Sequence, residues 1–129
     1  MSAKLLIVED NKKLRDVIKK YLDLNHLDLV IFEADSGDQG IELASDIKPD
    51  IVLMDIRLPK VNGIISAQRI KDDHPSCEII IMTMFDASDY KQLCHDHNFR
   101  DFIRKDDIED RLIPVIRRCI KERKVDHVK

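Results

Sequence analysis

The sequence predicts an α/β domain in which five parallel strands alternate with five helices. Short apolar runs such as Ile51–Met54 recur along the 129 residues and have the length of strands buried on both faces. Segments with apolar residues at helical spacing separate these runs. Strands that alternate with helices are joined by crossover connections, which make the strands parallel.

The first half of the chain contains three of the predicted strands and two of the helices. The strands are expected over Lys4–Val8, Leu29–Glu33 and Ile51–Met54. Asn11 is suited to cap the first helix, whose apolar residues recur at helical spacing up to Asn25. Ser36-Gly37-Asp38 begins the second helix, and Pro49 ends it.

The second half contains two strands and three helices. The strands are predicted over Glu78–Met82 and Arg100–Arg104. The helices are predicted over residues 63–74, 86–95 and 107–122. Acidic residues come early and basic residues late in the last helix, as the helix dipole favours. Pro114 lies within that helix, which either starts only one turn earlier or is kinked there.

Composition and charge restrict the possible functions. Charged residues make up 36% and hydrophobic residues 43% of the chain, and the formal net charge is -3, as suits one globular domain. The chain lacks the basic excess of a nucleic-acid-binding domain. It also lacks the ~20-residue apolar run of a membrane span and the pattern of a signal peptide. We therefore expect an intracellular, cytoplasmic protein.

The cysteines and histidines form no disulfide or metal-binding pattern. Cys77, Cys94 and Cys119 are odd in number and widely spaced, so we expect reduced thiols. Cys94, His95 and His97 are close in sequence, but helix residues two apart do not share a face. No second cluster completes a ligand set, so we predict no metal site there.

Polar residues are predicted at the carboxyl ends of four of the five strands. They are Glu9, Asp10, Asp55, Thr83 and Lys105. The carboxyl ends of parallel strands lie at one edge of the sheet. In an open parallel sheet, ligands bind at that edge, near the point where the strand order reverses. Three carboxylates brought together repel one another, so either one takes up a proton or a cation neutralises them. Oxygen ligands with space for water suit Mg²⁺.

With such a cation bound, Asp55 can remain ionised and act as a nucleophile. Carboxylates attack phosphorus to give aspartyl phosphate, and phosphoryl transfer needs mainly positioning and charge neutralisation. Mg²⁺, the Lys105 ammonium and the Thr83 hydroxyl would each contact one phosphoryl oxygen. Each residue also has a plainer interpretation. Asp55 could be an ordinary polar residue at a strand end, the Thr83 hydroxyl could bond to the backbone, and Lys105 could be a solvated cap of the last strand.

These residues resemble the receiver domain of bacterial two-component response regulators, over about residues 4–122. The motifs are Leu6-Ile7-Val8-Glu9-Asp10-Asn11, Asp55-Ile56-Arg57-Leu58-Pro59-Lys60-Val61-Asn62-Gly63, Thr83 and Phe102-Ile103-Arg104-Lys105. The resemblance implies a flavodoxin-like open parallel five-stranded sheet, order 2-1-3-4-5, with helices on both faces. It also implies a receiver domain over 1–124, with 125–129 as a charged tail or the start of a linker to an output domain outside this chain.

The resemblance further implies a role for each site residue. Asp55 would accept a phosphoryl group from the phosphohistidine of a sensor histidine kinase or a phosphotransfer protein. Transfer and hydrolysis would be slow and self-catalysed, and the domain would not be a metabolic enzyme. Mg²⁺ would be held by Asp10, Asp55, the Arg57 backbone carbonyl and, through water, Glu9. The phosphoryl group would be contacted by Thr83, Met84 and Lys105.

The implied switch links Asp55 to a distant surface. Thr83 would move toward the phosphoryl group, Phe102 would turn inward, and the face of the fourth helix, fifth strand and fifth helix would repack. The alternative for Phe102 is plain core packing. That face would contact an output domain, with transcription as the expected output, or a second copy in a homodimer. Direct nucleic-acid or membrane binding is not expected.

Several positions depart from the family pattern, including Asn98-Phe99, where Gly-Ala is usual. Met84 replaces the usual Ala or Gly and is expected to restrict access to Asp55. Phe85 offers no polar group to orient an attacking water. Asp106 replaces a frequent Pro, which leaves open whether the peptide after Lys105 is cis.

Three other functions are alternatives to the phosphorylated receiver. A haloacid-dehalogenase-like phosphatase needs a second Asp two residues after the nucleophile, where this chain has Arg57. A nucleotide- or flavin-binding domain favours a Gly-rich or hydroxyl-rich loop where Glu9-Asp10-Asn11 stands. The strongest competitor is a receiver-like interaction module that no longer depends on phosphorylation.

Overall fold

The computed structural model describes residues 2–57, 62–84 and 91–128, within which five parallel strands form one sheet in the order β2-β1-β3-β4-β5. The strands are β1 (Ala3–Val8), β2 (Leu29–Ala34), β3 (Ile51–Asp55), β4 (Glu78–Thr83) and β5 (Asp101–Arg104). The helices are α1 (Lys12–Leu24), α2 (Gly37–Ile47), α3 (Gly63–Asp73), α4 (Lys91–Asp96) and α5 (Ile108–Val128). The predicted fold class and strand order are confirmed.

The sheet is buried on both faces because its strands are apolar at successive positions. Leu5 and Ile7 point to one side, where they join residues of α1 and α5 in one core cluster. Leu6 and Val8 point to the other side and join residues of α2 and α3 in a second cluster. Alternation of side chains along a strand produces this division. Because helices cover both faces of the sheet, its carboxyl edge is formed by loops.

Side-chain caps fix where the first three helices begin. Asn11 accepts a hydrogen bond from Leu14 N at 3.3 Å, as predicted for the start of α1. Ser36 accepts one from Gln39 N at 3.2 Å, and Asn62 accepts one from Ile64 N at 2.7 Å. Each cap satisfies a backbone N–H that has no partner within the helix. The caps therefore set the length of each loop that follows a strand.

The last helix differs from its predicted outline at both ends. A 3₁₀ turn over Lys105–Asp107 precedes α5, which continues to Val128. Pro114 lies inside α5, six residues after Ile108, and removes the bond that its N–H would give to Asp110. Both Pro114 and Asp110 are exposed, so the affected turn faces solvent. A kink at this position stays a prediction.

Two smaller expectations concern the backbone and the membrane. The described residues contain no cis peptide bond, so the peptide after Lys105 is trans. None of the described helices combines the length and the hydropathy that a membrane crossing requires.

Candidate functional site

The sheet register brings the predicted acidic residues together at its carboxyl edge. Val8 pairs with Met54 across β1 and β3, so Glu9 and Asp55 are the next residues on neighbouring strands. Thr83 pairs with Arg104 across β4 and β5, which places Lys105 just beyond that pair.

Lys105 forms the central ion pairs of the site. Its Nζ lies 2.6 Å from Glu9 Oε1 and 3.2 Å from Asp55 Oδ2. The exposed fraction is 0% for the Glu9 side chain, 2% for Asp55 and 17% for Lys105. Buried carboxylates are costly unless they are paired, so the ammonium is the compensating charge. Lys105 is therefore not a solvated strand cap.

The pKa of Lys105 reflects this pairing. Burial lowers the pKa, but a hydrogen bond to Glu9 and the negative charges of Asp55 and Glu9 outweigh burial and raise it above its usual value. Lys105 therefore stays protonated at neutral pH, and its positive charge remains available beside Asp55.

Backbone amides hold the other oxygens of the two buried carboxylates. Asn11 N donates to Glu9 Oε2 at 3.2 Å, and Arg57 N donates to Asp55 Oδ1 at 3.1 Å. Together with the ammonium of Lys105, these amides contact all four oxygens. Charge-assisted bonds of this kind are short and strong, so they hold the Asp55 carboxylate in a fixed orientation for attack as an oxygen nucleophile.

Asp10 completes a group of three carboxylates. Oxygen atoms of Glu9, Asp10 and Asp55 lie within 4.8 Å of one another. A hydrogen bond with Glu9, burial and the charge of Glu9 raise the pKa of Asp10. Three carboxylates against one ammonium leave an excess of two negative charges when all are ionised. An all-oxygen donor set with this excess fits Mg²⁺.

Replacement of Asp10 by Asn is expected to stabilise the protein at neutral pH without divalent ions. Because the pKa of Asp10 is raised in the folded state, its protonated form stabilises the fold at low pH, and this contribution is lost as pH rises through the raised pKa. The gain in the free energy of unfolding for Asp10→Asn at pH 7 should not exceed about 1 kcal/mol, because solvent screens the charge of this exposed group. Urea unfolding measures this gain. The gain should vanish near pH 3, where the Asp10 carboxyl group is protonated in the folded state and largely protonated in the unfolded state.

Comparison with known proteins agrees with this geometry. The family model of the response regulator receiver domain matches residues 5–117. The chain belongs to this family. Response regulator GacA of Pseudomonas syringae is 33% identical over 82 residues, which cover 63% of this chain and 38% of that protein. A cyclic di-GMP phosphodiesterase of Thermotoga maritima is 33% identical over 101 residues, 78% of this chain and 26% of that protein.

Solved structures share the fold of this receiver domain over almost its whole length. The receiver domain of AraT, a response regulator from Geobacillus stearothermophilus, has a TM-score of 0.85 at 25% identity and covers 98% of this chain and 99% of that one. A signal receiver domain from Vibrio parahaemolyticus has a TM-score of 0.88 at 24% identity, with coverages of 99% and 97%. The curated relatives are longer, and this chain spans 26% of one and 41% of another.

The predicted switch residues of the receiver domain lie on neighbouring strands. Thr83 is buried at the end of β4, and Phe102 pairs in register with Ile81 on the same strand. The Phe102 side chain is only 3% exposed and belongs to the core cluster on the α2 and α3 side. Phe102 is therefore packed in the core of this structure. Its movement, and that of Thr83, stay predictions.

Residues that depart from the family pattern flank this region. Met84 is 60% exposed, so most of its side chain lies in solvent. Its effect on access to Asp55 stays a prediction. Phe85 lies outside the described residues, as do Leu58-Pro59-Lys60-Val61 of the motif that follows Asp55.

Gly63 places the start of α3 directly against the end of β3. A Cβ on Gly63 would lie 2.0 Å from the backbone oxygen of Asp55 and 2.8 Å from Ile56 Cα. Gly63 N donates to Ile56 O at 3.0 Å, which holds the two segments together. The sequence indicated a turn at Asn62-Gly63 but did not reveal this contact.

Proposed function

We propose that this receiver domain is a phosphorylation switch in which Asp55 accepts a phosphoryl group from a phosphohistidine. The observation that best supports this proposal is the buried Asp55 carboxylate, whose Oδ2 lies 3.2 Å from Lys105 Nζ. A carboxylate oxygen forms the bond to phosphorus while the bond from phosphorus to the imidazole nitrogen breaks. The electron pair of that bond returns to the imidazole, which leaves the phosphoryl group on Asp55.

The residues around Asp55 would orient the carboxylate and neutralise charge. Arg57 N holds Asp55 Oδ1, and Lys105 would turn from pairing with the carboxylate to contacting a phosphoryl oxygen. The Thr83 hydroxyl would contact a second oxygen, and Met84 would lie beside the group. Positioning and charge neutralisation of this kind account for most of the catalysis of phosphoryl transfer.

The acidic group would hold the metal on which this transfer depends. Asp10, Asp55 and the Arg57 backbone carbonyl would bind Mg²⁺, with Glu9 acting through water. The bound ion would supply positive charge to the phosphoryl oxygens. The carboxylate oxygens within 4.8 Å of one another and the raised pKa of Asp10 support this site.

The partners follow from the switch role. We propose a sensor histidine kinase or a phosphotransfer protein as the phosphoryl donor, and a face formed by α4, β5 and α5 as the contact with an output domain or a second copy. The names of relatives include a transcriptional regulatory protein, YdfI of Bacillus subtilis, and a cyclic di-GMP phosphodiesterase. Transcription is the first output to test. Residues 1–124 would form the receiver, and 125–129 a tail or linker.

Direct phosphorylation tests this function. With acetyl phosphate and Mg²⁺, the wild-type protein should gain one acid-labile phosphoryl group, and EDTA should prevent the gain. Borohydride reduction followed by peptide mass analysis should convert Asp55, and no other residue, to homoserine. A folded protein that takes up no phosphoryl group would instead support the interaction module that works without phosphorylation.

A further inference from the structure

Arg15 connects β2 to the loop that carries the acidic residues. It lies on α1, and its side chain is only 13% exposed. Its Nε donates to Glu33 Oε1 at 2.9 Å, and its Nη1 donates to the backbone oxygen of Glu9 at 2.5 Å. One guanidinium therefore joins a β2 side chain to the backbone of the residue whose carboxylate contacts Lys105.

The orientation of the Glu9 carbonyl affects both acidic side chains of that loop. Only residues 9–11 separate β1 from α1. The carbonyl of Glu9 and the amide nitrogen of Asp10 belong to one planar peptide unit. A donor that fixes this oxygen fixes the plane of the peptide that joins the two acidic residues, and hence the directions in which their side chains leave the backbone.

Lys19 provides a natural contrast on the same helix, one turn further along. Its Nζ donates to Glu33 Oε2 at 2.9 Å and lies 3.4 Å from Asp16 Oδ1. It thus shares the Glu33 carboxylate with Arg15 and carries the same charge. Its ion pairs in the described part of the chain are with Glu33 and Asp16, and neither involves the Glu9 carbonyl.

We propose that Arg15 is a positioning residue, which holds the Glu9–Asp10 peptide so that both carboxylates face a divalent cation. The inference rests on the proposed Mg²⁺ site. Arg15 is suited to this task because a planar guanidinium can donate to two acceptors in fixed directions at once. Residues that orient metal ligands typically change metal affinity 10- to 100-fold when they are replaced.

The sign of the effect separates positioning from simple electrostatics. The positive charge of Arg15 repels a cation, so its removal alone would strengthen Mg²⁺ binding. Loss of positioning would weaken binding instead. Lys19→Met removes an equal charge from the same Glu33 pairing but leaves the contact between Arg15 and the Glu9 carbonyl.

Calorimetric titration of Mg²⁺ into wild type, Arg15→Met, Arg15→Lys and Lys19→Met tests the proposal. We expect Arg15→Met to bind Mg²⁺ about tenfold more weakly, in line with other residues that orient metal ligands. Arg15→Lys keeps the positive charge but lacks the planar guanidinium, so its affinity for Mg²⁺ should lie between those of wild type and Arg15→Met. Lys19→Met should bind as wild type does or more tightly. Circular dichroism and urea unfolding confirm that each variant is folded.

A second measurement needs no metal. Asn11 N donates to Glu9 Oε2, so exchange of the Asn11 amide hydrogen reports the position of that carboxylate. Exchange should become faster in Arg15→Met and stay unchanged in Lys19→Met. If Arg15→Met does not fold, Arg15→Lys carries both comparisons.

The outcomes separate this inference from the proposed function. If wild type binds Mg²⁺ and Arg15→Met binds it equally well or more tightly, the positioning role is wrong and the proposed function stands. If wild type itself binds no Mg²⁺, the proposed metal site is wrong and the inference falls with it.

Discussion

Asp55→Asn is expected to abolish the uptake of an acid-labile phosphoryl group from acetyl phosphate in the presence of Mg²⁺. The amide keeps the size of the side chain and an oxygen that can accept the bond from Arg57 N, which lies 3.1 Å from Asp55 Oδ1 in the wild type. It lacks the anionic oxygen that attacks phosphorus. Because Lys105 keeps its pairing with Glu9 at 2.6 Å, the variant should remain folded.

The measurement compares label per folded chain with a matched variant. Asp46→Asn makes the same chemical change at an exposed position on α2 and should label as wild type does. Labelling of Asp55→Asn at the wild-type level would show that another residue is the acceptor. Peptide mapping would then identify that residue, and Asp10, within the same acidic group, is the first to inspect.

The site could be predicted from the sequence because topology fixes the placement of strand ends. In a parallel sheet every strand ends at the same edge, so residues after the strands converge without any knowledge of their long-range contacts. The strands themselves could be recognised because Leu5 to Val8 and Ile51 to Met54 are apolar runs with the length of a strand. In the structure both runs are fully buried. The family resemblance then supplied the strand order, which the alternation alone leaves open.

What the sequence could not show depends on side-chain direction and close packing. Glu9 and Asp10 are adjacent in sequence, yet Glu9 is buried and Asp10 exposed. The direct contact between Glu9 and Lys105 follows from that orientation. The contacts of Arg15 with Glu33 and the Glu9 carbonyl depend on how α1 lies on β2, which no local pattern specifies. The burial of Phe102 likewise depends on the packing of a whole core cluster.

The start of α3 shows how such packing controls the site. Gly63 has no positive φ, so its backbone conformation does not require glycine. The requirement is space, since a Cβ would lie 2.0 Å from the Asp55 backbone oxygen. A backbone oxygen in a buried strand cannot move as a flexible side chain can. A larger residue would have to displace either α3 or the strand end that carries the proposed phosphoryl acceptor.

Gly63→Ala is therefore expected to lower the free energy of unfolding by about 3 kcal/mol, at the upper end of the range for overpacking. Gly40→Ala is the matched control, because its Cβ would meet the Val8 side chain, with Cγ2 at 2.9 Å, rather than backbone. A small shift of those methyl groups and the better helix propensity of Ala should keep its change within about 1 kcal/mol. Urea unfolding measures both values. A change below about 0.5 kcal/mol for Gly63→Ala, the size of an ordinary surface substitution, would show that α3 does not approach Asp55 so closely.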